Sequence, residues 1–147
     1  MEMSERISDA LSNPESIIGL VSRCGGKLPP DYRRFLLAIN GGRPVKRRFG
    51  FLENAKKTES VVDWFFGDCA DPDYGLIANL DVYEDRIPKS FLPIATDPFG
   101  NLILISLRAK DNGTIHFWDH EREDPDDSSK NVQQLAKNFD DFVATLA

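Results

Sequence analysis

The sequence predicts an α+β fold in which a central antiparallel sheet is flanked by helices. Three observations lead to this prediction. Apolar residues recur with helical spacing near both ends of the chain, and short segments rich in β-branched and aromatic residues lie between them. Long crossovers between successive strands are largely missing, and parallel strands would need them.

Length and composition indicate an ordinary globular protein. The 147 residues fit one domain, 1–147, with 41% apolar and 29% charged residues. No apolar run approaches the roughly 20 residues that span a bilayer, and residues 1–6 lack the apolar core of a secretory signal. We therefore expect a soluble cytoplasmic protein in which Cys24 and Cys69 are reduced thiols.

The net charge of −6 is unevenly distributed along the chain. Residues 1–58 contain 11 Lys/Arg and 6 Asp/Glu, a net charge of +5. Residues 59–147 contain 7 Lys/Arg and 18 Asp/Glu, a net charge of −11. An acidic surface repels nucleic acid and attracts basic proteins, so we expect no direct nucleic-acid partner.

Three helices are predicted in the first third of the chain. Residues 4–11 form a short helix with Ile7 and Leu11 on one side. Residues 13–15 (Asn-Pro-Glu) begin a second helix, because they combine a capping side chain, proline and an acidic residue, and Gly25-Gly26 end it. The third helix begins at residues 29–31 and ends at residues 40–42, and its apolar face consists of Tyr32, Phe35, Leu36 and Ile39.

The middle of the chain changes to strand-like patterns. Residues 49–52 are predicted to form a short strand and residues 59–66 another, although a helical turn would also fit the second segment. Residues 67–73 form an acidic loop, and residues 74–85 form a helix.

The last third begins with a predicted strand over residues 92–97, in which Pro93 indicates an edge or a strand start. Residues 97–101 form a turn, 102–107 a central strand covered on both faces, and 111–113 a hairpin turn leading to the strand 114–118. A charged loop follows over residues 120–130. Residues 131–146 are predicted to form a closing helix with an apolar face of Val132, Leu135, Ala136, Phe139, Phe142, Val143 and Leu146.

Several of these motifs occur in a recognisable order. They are LPPDYRRFL over residues 28–36 with NGG at 40–42, IP at 87–88, FLPIATD at 91–97, GN at 100–101, IHFWDHE at 115–121, and the terminal amphipathic segment. In this order and spacing the sequence resembles the SUKH superfamily, the Smi/Knr-type domain. The resemblance implies an α+β fold with a central antiparallel sheet.

The resemblance also implies a class of function. Bacterial members are best known as immunity proteins that bind and neutralise toxins, often nucleases, whereas fungal relatives regulate cell-wall synthesis. Fungal regulators usually carry long disordered flanks, which this sequence lacks, so we expect the bacterial immunity branch. The shared motifs are markers of the fold and transfer no partner contacts.

The densest acidic run is the candidate partner-binding surface. A solvated loop is the simpler interpretation, and a docking surface for a basic toxin domain is the functional one, since complementary charge accelerates association. The helix predicted over residues 74–85 contributes further acids. The candidate set is Asp119, Glu121, Glu123, Asp124, Asp126 and Asp127, with Asp81, Glu84 and Asp85.

No residues are predicted to be catalytic or to hold a cofactor or metal. His116 and His120 are four residues apart, but on a strand this separation is about 13 Å at about 3.3 Å per residue, too far to share an ion. No activated nucleophile or phosphate-binding loop is recognisable. We therefore expect a protein that is not an enzyme.

The sequence leaves alternatives open. The first hypothesis is an immunity protein that occludes a basic toxin, the second is a regulatory interaction module that recruits a host enzyme, and the third is a small-ligand or enzymatic domain, for which the sequence shows no polar pocket. A monomer and a weak dimer are both compatible with the sequence.

Overall fold

A computed structural model describes residues 1–7 and 12–147. The described chain contains four α-helices and nine β-strands. In order, the elements are β1 Met3–Glu5, α1 Pro14–Cys24, α2 Pro30–Ala38, β2 Arg43–Pro44, β3 Arg48–Glu53, β4 Lys56–Val61, β5 Trp64–Phe65, α3 Leu76–Tyr83, β6 Phe91–Thr96, β7 Leu102–Ser106, β8 Ile115–Trp118, β9 Val132–Ala136 and α4 Phe139–Thr145.

The α+β prediction with a central antiparallel sheet is confirmed. Five strands form one antiparallel sheet in the order β5-β6-β7-β8-β9. Strands β3 and β4 form a separate hairpin, and β1 pairs with β2 in a second two-stranded antiparallel sheet. All residues of β7 are buried, in agreement with its predicted central position. Apolar residues from α1, α2, α3 and α4 belong to the same buried cluster as those of the sheet.

Local sequence chemistry accounts for the first helices. The side chain of Asn13 accepts a hydrogen bond of 3.0 Å from the Ser16 amide at the start of α1, and Gly25 ends that helix with a φ of 85°. The helix expected over residues 4–11 is wrong at its start, because residues 3–5 form β1 and pair with β2. The rest of that expected helix, residues 8–11, lies outside the described residues.

The segment 59–66 forms strands, but in two different sheets. Residues up to Val61 complete the β3–β4 hairpin, and Trp64–Phe65 pair with β6 in the central sheet. The hairpin turns through Asn54 and Ala55, whose φ values of 51° and 64° are left-handed. The Gln133 side chain of β9 attaches the hairpin to the sheet, because its amide accepts from the Leu52 N–H at 2.8 Å and donates to the Leu52 carbonyl at 2.7 Å.

Pro93 lies inside β6 rather than at its start. On one side β6 pairs with β7, and its register shifts between Pro93 and Ala95. On the other side the two-residue strand β5 pairs only with Ala95 and Thr96. An irregular ladder next to a short neighbour tolerates a residue that lacks an N–H donor.

The closing helix predicted over residues 131–146 is wrong in its first half. Residues 132–136 form β9, which pairs with β8, and only residues 139–145 are helical. Because β8 would otherwise have an unpaired edge, its backbone groups offer hydrogen bonds that outweigh the helical apolar spacing. Asn138 begins α4 by accepting a hydrogen bond of 2.7 Å from the Asp141 amide.

A buried carboxylate organises the predicted turn at residues 97–101. Asp97 is 4% exposed and accepts hydrogen bonds of 2.9 Å from the amides of Phe99 and Asn101 and from the Asn101 side chain. It also accepts a 2.9 Å bond from the Ser60 hydroxyl of β4. One side chain therefore joins the β6–β7 turn to the hairpin.

Replacing this carboxylate should destabilise the protein. In Asp97→Ala the four donors lose their acceptor, and each buried donor left unpaired costs about 1–3 kcal/mol. We expect urea denaturation to show a loss of at least about 2 kcal/mol. The exposed Asp85→Ala is the matched control and should change the free energy of unfolding by less than about 0.5 kcal/mol. Equal effects of the two substitutions would contradict this role of Asp97.

Candidate partner-binding surface

The acidic loop after β8 is shaped largely by its own carboxylates. Asp119 accepts a hydrogen bond from the Glu121 amide and begins a 3₁₀ turn over His120–Arg122. Asp124 accepts from the Asp126 amide at 2.9 Å, and Asp127 accepts from both the amide and the hydroxyl of Ser129. These carboxylates therefore give the loop a defined conformation.

The same hydrogen bonds stabilise the charged form of two loop acids. The Asp126 amide, followed by the Lys130 ammonium, lowers the pKa of Asp124. The Ser129 hydroxyl and then its amide lower the pKa of Asp127. Asp127 is exposed and Asp124 is partly exposed, so solvent screens these effects.

The second acidic segment lies on α3 and is paired with an arginine of α1. Arg23 forms ion pairs with both Asp81 and Glu84. The guanidinium is about one third exposed and the two carboxylates are more exposed than this. The pairing connects α1 to α3 and offsets part of the negative charge that the sequence places on α3.

Arg86 connects the two acidic segments. Its guanidinium forms a bidentate ion pair with Glu123 of the loop. It also lies 5.0 Å from the centre of the Tyr83 ring and 5.4 Å from that of the buried Trp118. The hydrogen bond from Arg86 lowers the pKa of Glu123. The structure therefore brings the end of α3 and the loop after β8 together.

Not every predicted acid is available to a partner. Glu123 pairs with Arg86, Asp124 with Lys130 at 3.3 Å, and Asp119 with Arg122 at 3.7 Å. Among the described residues, the members of the predicted set that have no ion pair are Asp85, Glu121, Asp126 and Asp127. The exposed negative charge is therefore smaller than the sequence count suggests.

The two histidines lie in different environments. His116 is buried within β8, where its Nε2 atom lies 2.8 Å from the Thr114 hydroxyl and its ring packs on Phe91. Burial lowers the pKa of His116. The amide of His120 donates to the Asn101 side chain at 3.1 Å. In residues 1–7 and 12–147, no group of three or more His, Cys, Asp or Glu has a geometry that could hold a metal ion.

The two cysteines are not bonded to each other, as predicted. Both thiols are free and partly buried. Burial raises the pKa of Cys24 to about 11, so this side chain is a protonated thiol at neutral pH.

The sequence interpretation missed residues that lie beside the loop. Phe99 is 70% exposed in the turn after β6, and Glu53 on the hairpin lines the same cavity as Asp119 and Glu121. The sequence shows a phenylalanine within the turn, but single exposed apolar residues are ordinary on protein surfaces, so this was a weak signal. The position of Glu53 depends on the fold of the hairpin and had no signal in the sequence.

The fold and this surface define an α+β protein with a five-stranded antiparallel sheet and an acidic face. The model of the SMI1 / KNR4 family (SUKH-1) matches residues 13–145, and the chain belongs to this family. The resemblance seen in the sequence is thereby confirmed.

A relative is found in Bacillus subtilis (strain 168). The chain is 29% identical to the SPbeta prophage-derived uncharacterized protein YokK over 160 aligned residues. The alignment covers 93% of this chain and 76% of YokK. In the part of the chain that the structure describes, no helix is long and apolar enough to cross a membrane.

The contact between Arg86 and Glu123 can be tested by titration. In Arg86→Gln, the pKa of Glu123 should rise toward its ordinary value, because the strongest donor to the carboxylate is lost. Carbon-13 NMR of the Glu123 carboxyl measures this pKa directly. Since the folded-state pKa is lowered, the stability contributed by the contact is present above the ordinary glutamate pKa and is lost on acidification through the folded-state value. Lys89→Gln removes an exposed charge three residues after Arg86 and should leave the Glu123 titration unchanged.

Proposed function

We propose that this chain is an immunity protein that binds a cognate bacterial toxin and neutralises it by occlusion, without covalent chemistry. The observation that carries the proposal is membership of the SMI1 / KNR4 family over residues 13–145, since bacterial members are often immunity proteins. The relative named as prophage-derived supports it, because mobile elements are a natural location for genes used in competition between cells.

The acidic face supports a partner with a basic surface. Glu121, Asp126 and Asp127 are exposed and have no ion pair among the described residues, so their charge is available to a partner. A nuclease toxin binds the phosphate backbone with basic residues. An acidic protein that covers those residues both associates rapidly and blocks the nucleic-acid site.

A direct test uses the protein encoded immediately upstream of this chain. Its C-terminal domain is expressed with and without this chain, and survival is measured together with binding by calorimetry. We expect killing by the domain alone, survival on co-expression, and a stable complex. If the domain kills but co-expression gives no survival and no complex forms, the toxin proposal is refuted. Capture of a housekeeping enzyme in place of a toxin would favour a regulatory interaction module.

The contribution of the acidic loop is tested by charge reversal. Asp126→Lys with Asp127→Lys should slow association with that domain and weaken binding by roughly tenfold, because rim charges steer the encounter. The matched control, Glu2→Lys with Glu15→Lys, makes the same change in net charge at exposed sites outside the acidic loop and should weaken binding much less. Equal effects in the two double variants would mean that only overall charge matters.

A further inference from the structure

A cavity of about 230 Å³ lies where the β3–β4 hairpin, the turn after β6 and the first residues after β8 meet. Its wall contains no lysine or arginine among the described residues. The wall does contain five carboxyl groups, those of Glu53, Glu59, Asp97, Asp119 and Glu121.

The carboxyl groups of this cavity are only partly compensated. Asp97 has its four hydrogen-bond donors, and Glu59 and Asp119 have loose ion pairs of 3.8 Å with Arg48 and 3.7 Å with Arg122. In residues 1–7 and 12–147, the carboxylates of Glu53 and Glu121 have neither an ion pair nor a hydrogen bond. Like charges around one cavity raise its free energy, and a cation within it would lower that energy.

The arrangement of the carboxyl groups favours a larger organic cation over a metal ion. No three acidic or histidine side chains of the described chain are arranged to hold a metal ion. The negative charge is instead spread over the walls of a cavity that several non-hydrogen atoms can fill. An extended organic cation matches such a distribution better than a point charge.

Among organic cations, the aromatic rings of the cavity favour a guanidinium group. Phe99 lines the cavity and is 70% exposed, while Phe51 and the buried Phe117 stack with their centres 4.3 Å apart in the wall. A guanidinium group is planar and weakly hydrated, stacks on aromatic faces and forms forked bonds with carboxylates. An ammonium group is compact and more strongly hydrated, and gains less from such a site.

The walls are held in place before any partner arrives. The Asn101 side chain donates to Asp97 and accepts from the His120 amide, which joins the turn to the loop. Arg122 donates to the Asn54 side chain, which joins the loop to the tip of the hairpin. A site that is already ordered costs less conformational entropy on binding.

We propose that this cavity binds an arginine side chain on the basic face of a protein partner. The identity of that partner rests on the proposed function, but the arginine site does not. The proposal also shifts the expected centre of the interface. Glu53 and Glu121, which have no ion pair within the described chain, lie with Phe99 at the centre of the proposed interface and hold the partner's arginine. The exposed end of the acidic loop lies at the edge of that interface.

The probe is N-acetyl-arginine-N-methylamide, titrated into the full chain and followed by amide NMR. We expect saturable shifts confined to residues 97–101, 119–121 and the hairpin. The neutral citrulline analogue should bind at least tenfold more weakly. Shifts spread over all acidic segments, equal binding of the citrulline analogue, or tighter binding of the corresponding lysine amide would each overturn the assignment.

Matched variants distinguish binding in the cavity from attraction to the overall negative charge of the protein. Glu53→Gln with Glu121→Gln should weaken arginine-amide binding at least tenfold, whereas Asp126→Asn with Asp127→Asn should change it less than twofold. Phe99→Ala should weaken binding, and Ile18→Ala, which trims a 69% exposed side chain of α1, should not. Equal loss in the two members of either pair would refute the site. All these side chains are exposed, so the variants should fold.

The two proposals can fail separately. Arginine-amide binding at the cavity without capture or rescue by the upstream-encoded domain would refute the toxin proposal and leave the arginine site standing. Rescue by the unmodified chain with no arginine binding at the cavity would refute the site and leave the immunity function standing.

Discussion

The buried carboxylate of Asp97 is the constraint on which the functional side of this protein depends. A buried charge is tolerated only when it is fully hydrogen-bonded, and Asp97 meets this requirement with two amides, a side-chain amide and a hydroxyl. Three of the donors shape the turn after β6, and the fourth, from Ser60, belongs to the hairpin. The turn holds Phe99 outward as a result.

Ion pairs with two arginines determine which acidic side chains remain uncompensated. Arg23 and Arg86 neutralise much of the acidic charge of α3 and of the loop, and Arg86 is supported by the rings of Tyr83 and Trp118. Exposed ion pairs of this kind contribute little stability, but they determine which carboxylates remain free. The acidic run therefore overstates the binding surface. The free charge is concentrated beside Phe99 and at the far end of the loop.

Most elements were predictable because local chemistry and tertiary structure agree. The caps of α1, the central burial of β7 and the turn at residues 97–101 were visible in the sequence. Residues 131–146 were not, because their apolar spacing fits a helix and their pairing partner β8 is separated from them by the charged loop. The competition between helix and strand was decided by the unpaired backbone of β8, which no local pattern reveals.

The candidate site divides in the same way. The sequence by itself determined the α+β class, the family motifs and the acidic set. Only the tertiary structure decided which acids are neutralised by arginines from α1 and from the end of α3, and that Glu53 of the hairpin shares a cavity with Glu121 of the loop. The physical reason is that charge compensation depends on distance in space, whereas composition records only the number of charges along the chain.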